Sequence, residues 1–363
     1  MRNGYALRVH NLLQALAGRW RVTLVSPAGA EGLGLEGVEH RPVDLRGPGL
    51  TYPWRFDGGG LAAAIGAAVR DVRPDRGLVW PGAEVAWLSG GGRPPAVMDM
   101  VDCNPLEFWR GALASGGVRE RWRHLSQLPV AAWSARQVVR GFAAVTCVGD
   151  ADAGWMARIG GRGAVHVSPN GVAVPDQGAL AGEAEVPTLA FTGTLDYGPN
   201  VDAVRFAVDA IWPAVRAAVP GARFVVGGRR PVPEIAALHG RDGIEVVPDV
   251  PDMVPLLGRA WVAVAPMRTG VGIKNKVLEA WACGRPVVMT PMATNGLVLP
   301  AGHEGLVAAR AEGLAEAVVG LLRDGARRRG LGIAARRHVE AHCTWAAVAE
   351  GMDRLLRAAG PAR

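Results

Sequence analysis

Residues 265–286 read APMRTGVGIKNKVLEAWACGRP, and this stretch decides the local fold. An apolar run ends near Ala265, a glycine-containing loop follows, and helical periodicity extends over about 273–282. Gly284 suits the position just after a helix C-terminus, and Pro286 begins the next apolar run. The stretch therefore predicts strand, loop, helix and strand, the repeating unit of a parallel α/β sheet.

The same alternation continues along the whole chain. Buried strands are predicted at 22–25, 77–80, 96–100, 143–148, 189–192, 223–226, 244–247, 261–265 and 286–290. Amphipathic helices are predicted at 7–17, 60–71, 201–219, 314–323 and 345–358. Continuous apolar strands separated by helices indicate α/β domains whose parallel sheets are covered on both faces. We expect two doubly wound domains that bind ligands at the carboxyl ends of their strands.

The domain boundary is predicted in the polar, Gly/Ala-rich stretch that follows Pro175. The first domain then covers 1–175 and the second covers 187–343. The last segment, 344–363, is expected to form a helix that packs back on the first domain.

One expected strand is missing from the start of the sequence. A doubly wound domain normally begins with a central strand, whereas this chain enters a helix directly after its first few residues, MRNGY. A sheet without that strand leaves unpaired backbone edges. We expect the recorded start to lie downstream of the true one; the alternative is a natural variant whose sheet begins one strand later.

Composition indicates a globular protein, since 49% of the residues are hydrophobic and 20% are charged. The net charge of +7 favours anionic partners, namely nucleotide diphosphates, nucleic acid or an anionic membrane. A solvated basic surface explains the charge equally well. No basic run interleaved with stacking aromatics is typical of nucleic-acid binding, so no nucleic-acid partner is predicted.

The four cysteines are widely spaced and form no Cys-x-x-Cys pair: Cys103, Cys147, Cys283 and Cys343. Neither a zinc site nor a disulfide framework is suggested, and reduced thiols in a cytoplasmic protein are the simplest interpretation. No apolar run of membrane-spanning length and no signal-peptide pattern is present. We expect a cytoplasmic protein, with peripheral contact at the inner face of the cell membrane left open.

The loop before the 273–282 helix has the composition of an anion site. Gly270 and Gly272 allow the backbone amides of 270–273, including those of Val271 and Ile273, to approach a ligand at a helix N-terminus. Cations in a first helical turn oppose the helix dipole, so Lys274 and Lys276 make more sense beside a diphosphate. The alternative is that Lys276 and the carboxylate that follows it form a surface pair.

Glu279 shares a helix face with Asn275 and Lys276. A carboxylate about one and a half turns from a phosphate site is well placed to accept hydrogen bonds from ribose hydroxyls. We therefore predict a donor-binding role for Glu279, Asn275 and the two lysines.

This stretch resembles the donor motif of retaining GT-B glycosyltransferases. The resemblance extends over nearly the whole chain, through GYALRVHNLL (4–13), SPNGV (168–172), FTGTLDYGPNVDAV (191–204), 249–251 and 265–268. It is strongest to a bacterial subgroup associated with exopolysaccharide gene clusters. The resemblance implies two Rossmann-like domains facing across a cleft that holds a nucleotide sugar. It also implies retention of configuration, no metal or other cofactor, and a saccharide or lipid-linked saccharide acceptor.

The sequence departs from the family pattern at three positions. The family often has a further carboxylate eight residues before Glu279, where this chain has Val271. Many relatives also place Arg and Lys after the first glycine of the second domain, here Gly193, and the matching residues are near Asp196 and Asn200. The charge that binds the diphosphate must come from elsewhere, and the candidates are Lys274, Lys276, Arg268 and Arg229.

In the first domain, Asp99 and Asp102 come at the end of a predicted strand and are expected to face the cleft. Asp102 is the first choice, and Asp99 the second, for a catalytic residue near the acceptor hydroxyl. The alternative is that one of them caps the next helix. Gly4 and Arg8 are expected on the acceptor side of the same cleft, although a surface salt bridge explains Arg8 equally well.

Other motifs carry less weight. Asp150 and Asp152 have Asp-x-Asp spacing, but helix capping is preferred to metal binding. His338 and His342 lie on an arginine-rich helix without further metal spacing. The run GGRR at 227–230 is weak as a nucleotide loop, and RERWRH at 119–124 fits an anionic-membrane patch or a solvated face equally well.

The sequence thus predicts a hexosyltransferase-type glycosyltransferase of polysaccharide or glycoconjugate biosynthesis. Two alternatives remain: a nucleotide-sugar epimerase on the same architecture, and a non-catalytic nucleotide-binding module. A nicotinamide oxidoreductase is least favoured, because no Gly-x-Gly-x-x-Gly follows a strand and precedes a helix.

Overall fold

The computed structural model describes residues 4–27, 34–43, 58–114, 116–161, 164–180, 182–270 and 272–360. The strands in these ranges are β1 (Val22–Pro27), β2 (Val38–Val43), β3 (Gly77–Val79), β4 (Ala96–Val101), β5 (Ala144–Cys147), β6 (Val165–Val167), β7 (Thr188–Thr194), β8 (Arg223–Arg229), β9 (Ile244–Pro248), β10 (Val262–Ala265) and β11 (Val287–Met289). The α-helices are α1 (Gly4–Ala17), α2 (Gly58–Val72), α3 (Glu84–Leu88), α4 (Asn104–Ala114), α5 (Val118–Gly141), α6 (Asp150–Gly160), α7 (Gly198–Phe206), α8 (Trp212–Ala218), α9 (Pro233–Ala236), α10 (Met253–Arg259), α11 (Asn275–Ala282), α12 (Ala311–Arg323), α13 (Gly325–His342) and α14 (Trp345–Ala358).

The chain divides into two compact units. Unit 1 contains Met1–Asn170 and Trp345–Arg363, and unit 2 contains Gly171–Thr344. The change of unit comes a few residues before the predicted end of the first domain at 175. The reason is a backbone pairing: the Val172 amide donates to the Cys343 carbonyl at 2.8 Å, which ties the start of this segment to unit 2.

Unit 2 contains one parallel sheet with the strand order β11-β10-β7-β8-β9. Helices supply apolar side chains against it, and Trp281 of α11 is the largest fully buried side chain. The predicted α/β architecture with a doubly wound parallel sheet is confirmed here. The carboxyl ends of β7, β8 and β10 therefore meet at one edge of this sheet.

The predicted linker is held firmly by unit 2. Glu183 accepts from Arg328 at 2.8 Å and from Arg285 at 3.1 Å. The Arg328 guanidinium also lies 4.1 Å from the ring centre of Trp261, whose indole N–H donates to the Ala184 carbonyl at 2.8 Å. These contacts fix the stretch in place although its composition is typical of a loop.

Unit 1 holds two parallel sheets, β1-β2 and β3-β4-β5-β6, where the sequence predicted one. Within the described ranges, β1 pairs only with β2 and β3 only with β4. Helix α14 packs against α1 through a cluster that includes Leu12 and Met352. In addition, the Trp20 indole N–H donates to Asp353 at 2.7 Å, so the C-terminal helix belongs to this unit.

No helix in the described ranges has the length and apolar character needed to cross a bilayer.

Candidate functional site

The 265–286 segment has the predicted order of elements, with a later helix start. Helix α11 begins at Asn275 rather than near 273, because Gly272 has φ +66° and Lys274 has φ −94°, ψ 89°, which are not helical conformations. At the other end, Gly284 has φ +68° and the Arg285 amide donates to the Ala280 carbonyl at 2.9 Å. This is the glycine-terminated helix end that the sequence predicts.

Lys276 lies at the N-terminus of α11 and points toward β7. Its Nζ donates to the side-chain oxygen of Asn200 at 2.7 Å and lies 3.9 Å from the ring centre of Phe191. Burial lowers the pKa of Lys276 to about 7, and the neighbouring Lys274 acts in the same direction. An ammonium group with so little water around it binds an added anion strongly.

Asn200 connects this lysine to the end of β7. Its amide Nδ2 donates to the Thr194 carbonyl at 2.9 Å. A Cβ at Gly193 would lie 2.8 Å from that Nδ2 and 3.1 Å from the Lys276 Nζ. Only glycine leaves room for both groups, so three residues singled out from the sequence, Gly193, Asn200 and Lys276, come together.

Glu279 lies one turn after Lys276 on the same helix. Burial raises the pKa of Glu279, while the charge of Lys276 acts in the opposite direction. No side chain in the described part of the chain is within hydrogen-bond distance of this carboxylate. A half-buried carboxylate with free acceptor capacity can accept hydrogen bonds from the hydroxyl groups of a ligand.

The other predicted donor-binding residues of this loop have different surroundings. The buried Lys274 donates to the carbonyl of Gly272 at 2.7 Å and so stabilises its own loop. Gly270 has φ +107°, and Asn275 and Ile273 are half-buried. Val271 lies outside the described residues.

Two of the predicted diphosphate cations differ in availability. Arg268 binds Asp202 through two nitrogens and stacks 4.8 Å from the ring centre of Phe206, so its charge is already balanced. Arg229 is exposed at the end of β8. The geometry therefore favours Arg229 over Arg268 as a ligand for an anion.

Arg230 follows β8 and was not among the predicted site residues. Its Nε lies 3.0 Å from a carboxylate oxygen of Asp196, at the end of β7. Arg230 has φ +54° and its amide donates to Asp249, which has φ +49°. Two non-glycine residues in the left-handed region side by side indicate strain, and strain of this kind concentrates at functional sites.

In unit 1, Arg8 and Asp99 are fully buried and bind each other. Arg8 donates to both carboxylate oxygens of Asp99 at 2.8 Å, and also to Ser168, Asn170 and the Pro169 carbonyl. Asp99 accepts further bonds from the Trp80 indole N–H at 3.0 Å and the Thr146 hydroxyl at 2.7 Å. This network favours a structural role for both residues. Their catalytic and acceptor-side roles stay predictions, as does that of Gly4, which begins α1.

Asp102 lies just after a strained turn at the end of β4. Val101 has φ +65°, and the Asp102 amide donates to the Met100 carbonyl at 2.8 Å across it. A β-branched residue rarely adopts this conformation, which forms a three-residue turn. The turn sets the direction of Asp102, which is half-buried. The catalytic role of Asp102 also stays a prediction.

The capping preferred for Asp150 and Asp152 is not seen at α6, whose N-terminus has no side-chain cap; Asp152 instead contacts the start of α4. It is buried, and its Oδ1 accepts from the Cys103 amide at 2.9 Å, directly before α4. Among the residues that the structure describes, no group of three or more His, Cys, Asp or Glu side chains could hold a metal ion.

Residues 186–324 match the family described as "Glycosyl transferases group 1". This segment is similar to that family, and we refer to it as the group 1 domain. A mannosyltransferase of Corynebacterium glutamicum, the GDP-mannose-dependent monoacylated alpha-(1-6)-phosphatidylinositol monomannoside enzyme, is 34% identical over 115 residues. The match spans 29% of this chain and 30% of that relative's length.

Solved structures are similar over nearly the whole chain. Anabaena Alr3699/HepE in complex with UDP-glucose has a TM-score of 0.69 at 15% identity, covering 99% of this chain and 97% of that one. A glycosyltransferase from Rickettsia africae has a TM-score of 0.68 at 11% identity, covering 98% and 95%. WaaG, a glycosyltransferase involved in lipopolysaccharide biosynthesis, has a TM-score of 0.63 at 15% identity, covering 97% and 96%. These likenesses show the fold, which is GT-B.

Within the group 1 domain, the structure brings Gly193, Asn200 and Lys276 to the edge where β7 ends, and Glu279 lies one turn further along α11. The missed residue, Arg230, belongs to the GGRR run at 227–230, which alone is weak evidence. A second signal is composition: of the 40 basic Lys and Arg residues in the chain, only Lys274 and Lys276 are lysines. All the remaining basic residues of this kind are arginines. Lysine at 274 and 276 therefore indicates a need for a compact ammonium group at these two positions.

Proposed function

We propose that the protein is a glycosyltransferase that moves a sugar from a nucleotide-diphosphate sugar to a saccharide or lipid-linked saccharide. The observation that carries the proposal lies inside the group 1 domain. There, one face of α11 presents a weakly solvated ammonium group, Lys276, next to a carboxylate with free acceptor capacity, Glu279. Diphosphate and ribose are the ligand groups that this pair suits.

Each group has a distinct task in the proposed reaction. Lys276, Arg229, Arg230 and the amides before α11 stabilise the negative charge that develops on the departing diphosphate. Arg230 contacts Asp196 through Nε alone, whereas Arg268 is held by two nitrogens and by stacking on Phe206. Glu279 accepts hydrogen bonds from the ribose hydroxyls and so fixes the position of the donor. Asp102 orients the acceptor hydroxyl or accepts its proton.

The donors of the similar proteins support this substrate class. The Corynebacterium protein is named as GDP-mannose-dependent, and HepE is described with UDP-glucose. The two donors differ in base and share a hexose on a nucleoside diphosphate. We propose the same class here, used with retention of configuration, without a metal ion, and in polysaccharide or glycoconjugate biosynthesis. We also propose that the protein contacts a membrane surface.

The test is turnover by the purified full chain with UDP-, GDP-, dTDP- and ADP-hexoses, with and without saccharide and lipid-linked acceptors. We expect release of a nucleoside diphosphate that depends on the acceptor, together with a glycosylated product. Conversion of the sugar nucleotide without any acceptor would identify an epimerase. Binding without turnover across the acceptor panel would favour the nucleotide-binding module.

A further inference from the structure

Helix α5 exposes two tryptophans in line on one face. Trp122 is 67% exposed and Trp133 is 62% exposed. They are eleven residues apart, which is about three helical turns, so the side chains leave the helix in nearly the same direction about 16 Å apart. Tryptophan is on average a highly buried residue, and an exposed pair of this kind calls for a partner.

The same face carries further apolar residues and arginines. We define the Trp–Arg face as Val118, Arg119, Trp122, Ser126, Pro129, Trp133, Arg136, Gln137 and Arg140, which lie within about 60° of one line along the helix. All nine are exposed, with Val118 at 76%. The set contains no acidic residue, and its three arginines form no ion pair with the described part of the chain. The face is therefore apolar along its middle and positively charged.

The opposite side of α5 is anchored in unit 1. Ala131, Ala135, Val138 and Val139 are buried, and the last three belong to the core cluster beneath β4 and β5. Because this side is packed, rotation of the helix cannot bury the tryptophans. Glu120 lies away from the Trp–Arg face and pairs with Arg123 at 3.5 Å.

We propose that the Trp–Arg face of α5 docks the protein on an anionic phospholipid surface, with the helix axis parallel to the membrane. Tryptophan rings prefer the headgroup level of a bilayer, and exposed arginines attract anionic lipid phosphates. The net charge of +7 adds long-range attraction to such a surface. A single convex helix offers no groove for a nucleic-acid backbone, and the apolar residues of the face, namely Val118, Pro129 and the two tryptophans, match acyl chains rather than bases.

This inference specifies the surface for the membrane contact named under the proposed function; it does not depend on the proposed reaction, and it rests on residues of α5 and on the net charge. It is tested by co-sedimentation of the full chain with phosphatidylcholine vesicles that contain either no or about one third phosphatidylglycerol. The first variant is Trp122→Ser with Trp133→Ser, and the second is Arg136→Gln with Arg140→Gln. The control, Ile333→Ser with Arg337→Gln, makes the same kinds of change on an exposed face of α13.

We expect the wild type and the control to bind the anionic vesicles and to bind neutral vesicles much more weakly. The tryptophan variant should lose at least about tenfold in partitioning, and the arginine variant about fivefold for each charge removed. Added salt should weaken the wild type more than the arginine variant. All these side chains are exposed, so the thermal unfolding midpoints should stay the same.

The proposal is overturned if the tryptophan variant partitions like the wild type, or if neutral and anionic vesicles bind equally. It is also overturned if the tryptophan variant only changes the molecular mass in solution, which would assign the face to a second copy of the chain. Tighter binding to a single-stranded oligonucleotide than to anionic vesicles, lost in the same variant, would assign the face to nucleic acid.

Discussion

The Nζ of Lys276 donates to the side-chain oxygen of Asn200 at 2.7 Å, although 76 residues separate the two. A second pair repeats this arrangement, since Arg230 lies 3.0 Å from Asp196. Asp196 and Asn200 are near the positions where the glycosyltransferase resemblance implies an arginine and a lysine. In this protein, each position instead contacts a cation from another element of unit 2.

The first prediction concerns proton uptake by Lys276. Its pKa is about 7 without a ligand, whereas an adjacent diphosphate favours the charged form and raises the pKa. Below pH 7 the group is already charged, so affinity for a nucleotide sugar should be constant there. Above pH 7, binding must include proton uptake, and affinity should weaken by up to about tenfold per pH unit. Calorimetric titration between pH 6 and 9 measures this, and Lys276→Met should remove the dependence.

Direct titration of the lysines provides an independent check. Because the chain contains only Lys274 and Lys276, NMR of protein labelled with 13C at lysine Cε should show two side-chain signals. One of them should titrate near pH 7 in the free protein and shift upward when a nucleotide sugar is added. Titration of both signals near the ordinary value of 10.5, with no effect of the ligand, would contradict the first prediction.

The second prediction concerns Arg230. Replacing it by glutamine removes a charge that we place beside the diphosphate, and affinity for nucleotide sugars should fall by about tenfold or more. Arg230 is 68% exposed, so the unfolding midpoint should not change. Arg223→Gln, an exposed change at the other end of β8, is the control. Equal affinities for both variants would remove Arg230 from the site.

The third prediction concerns the buried pair of Arg8 and Asp99. Breaking a buried ion pair leaves an uncompensated charge, so Arg8→Met should destabilise the protein by about 3–5 kcal/mol in urea unfolding. The double variant Arg8→Met with Asp99→Leu should lose less than the sum of the single variants. If Arg8→Met instead unfolds like the wild type and loses only transfer activity, Arg8 serves the acceptor.

The fourth prediction concerns acid stability. Burial lowers the pKa of His303, whose ring packs 5.9 Å from Trp281 and is influenced by Glu304 and His338. Below pH 6.5, the ordinary pKa of histidine, His303 binds a proton more readily in the unfolded state than in the folded state. The free energy of unfolding should therefore fall as the pH decreases from 6.5. Urea unfolding at pH 7.5 and 5.5 should show a smaller loss in His303→Leu, whereas the exposed control His166→Gln should match the wild type.

Local patterns predicted most of the fold. All nine predicted strands are present. Central strands such as β4, β5, β7 and β10 are apolar runs buried in a parallel sheet, whereas β1 and β9 are only partly buried. The two strands that were not predicted lack that pattern: β2 reads VEHRPV and is half exposed, and β6 is three residues long with His166 and Val167 exposed. Both lie at the edge of a sheet, where burial does not impose apolar residues.

The candidate site was predicted as far as it depends on short spacing. Lys276 and Glu279 share one helix, so their common face follows from helical periodicity. Arg230 and Asp196 follow two adjacent strands, and they meet because of the register between those strands in the sheet. Short spacing in the sequence does not reveal that register, so this pair was not predicted. In the same way, the sequence around Asp99 does not predict that Arg8, 91 residues earlier, donates hydrogen bonds to both of its carboxylate oxygens.

The most direct test of the account is the affinity of the full chain for UDP-, GDP-, dTDP- and ADP-sugars, measured by calorimetry for the wild type, Glu279→Ala and the exposed control Glu316→Ala. We predict that at least one nucleotide sugar binds the wild type and the control equally. Glu279→Ala, with an unchanged unfolding midpoint, should bind it at least about tenfold more weakly. Absence of binding by any of these donors to the folded protein, or equal affinity of Glu279→Ala, would contradict the assignment of this site to a nucleotide-sugar donor.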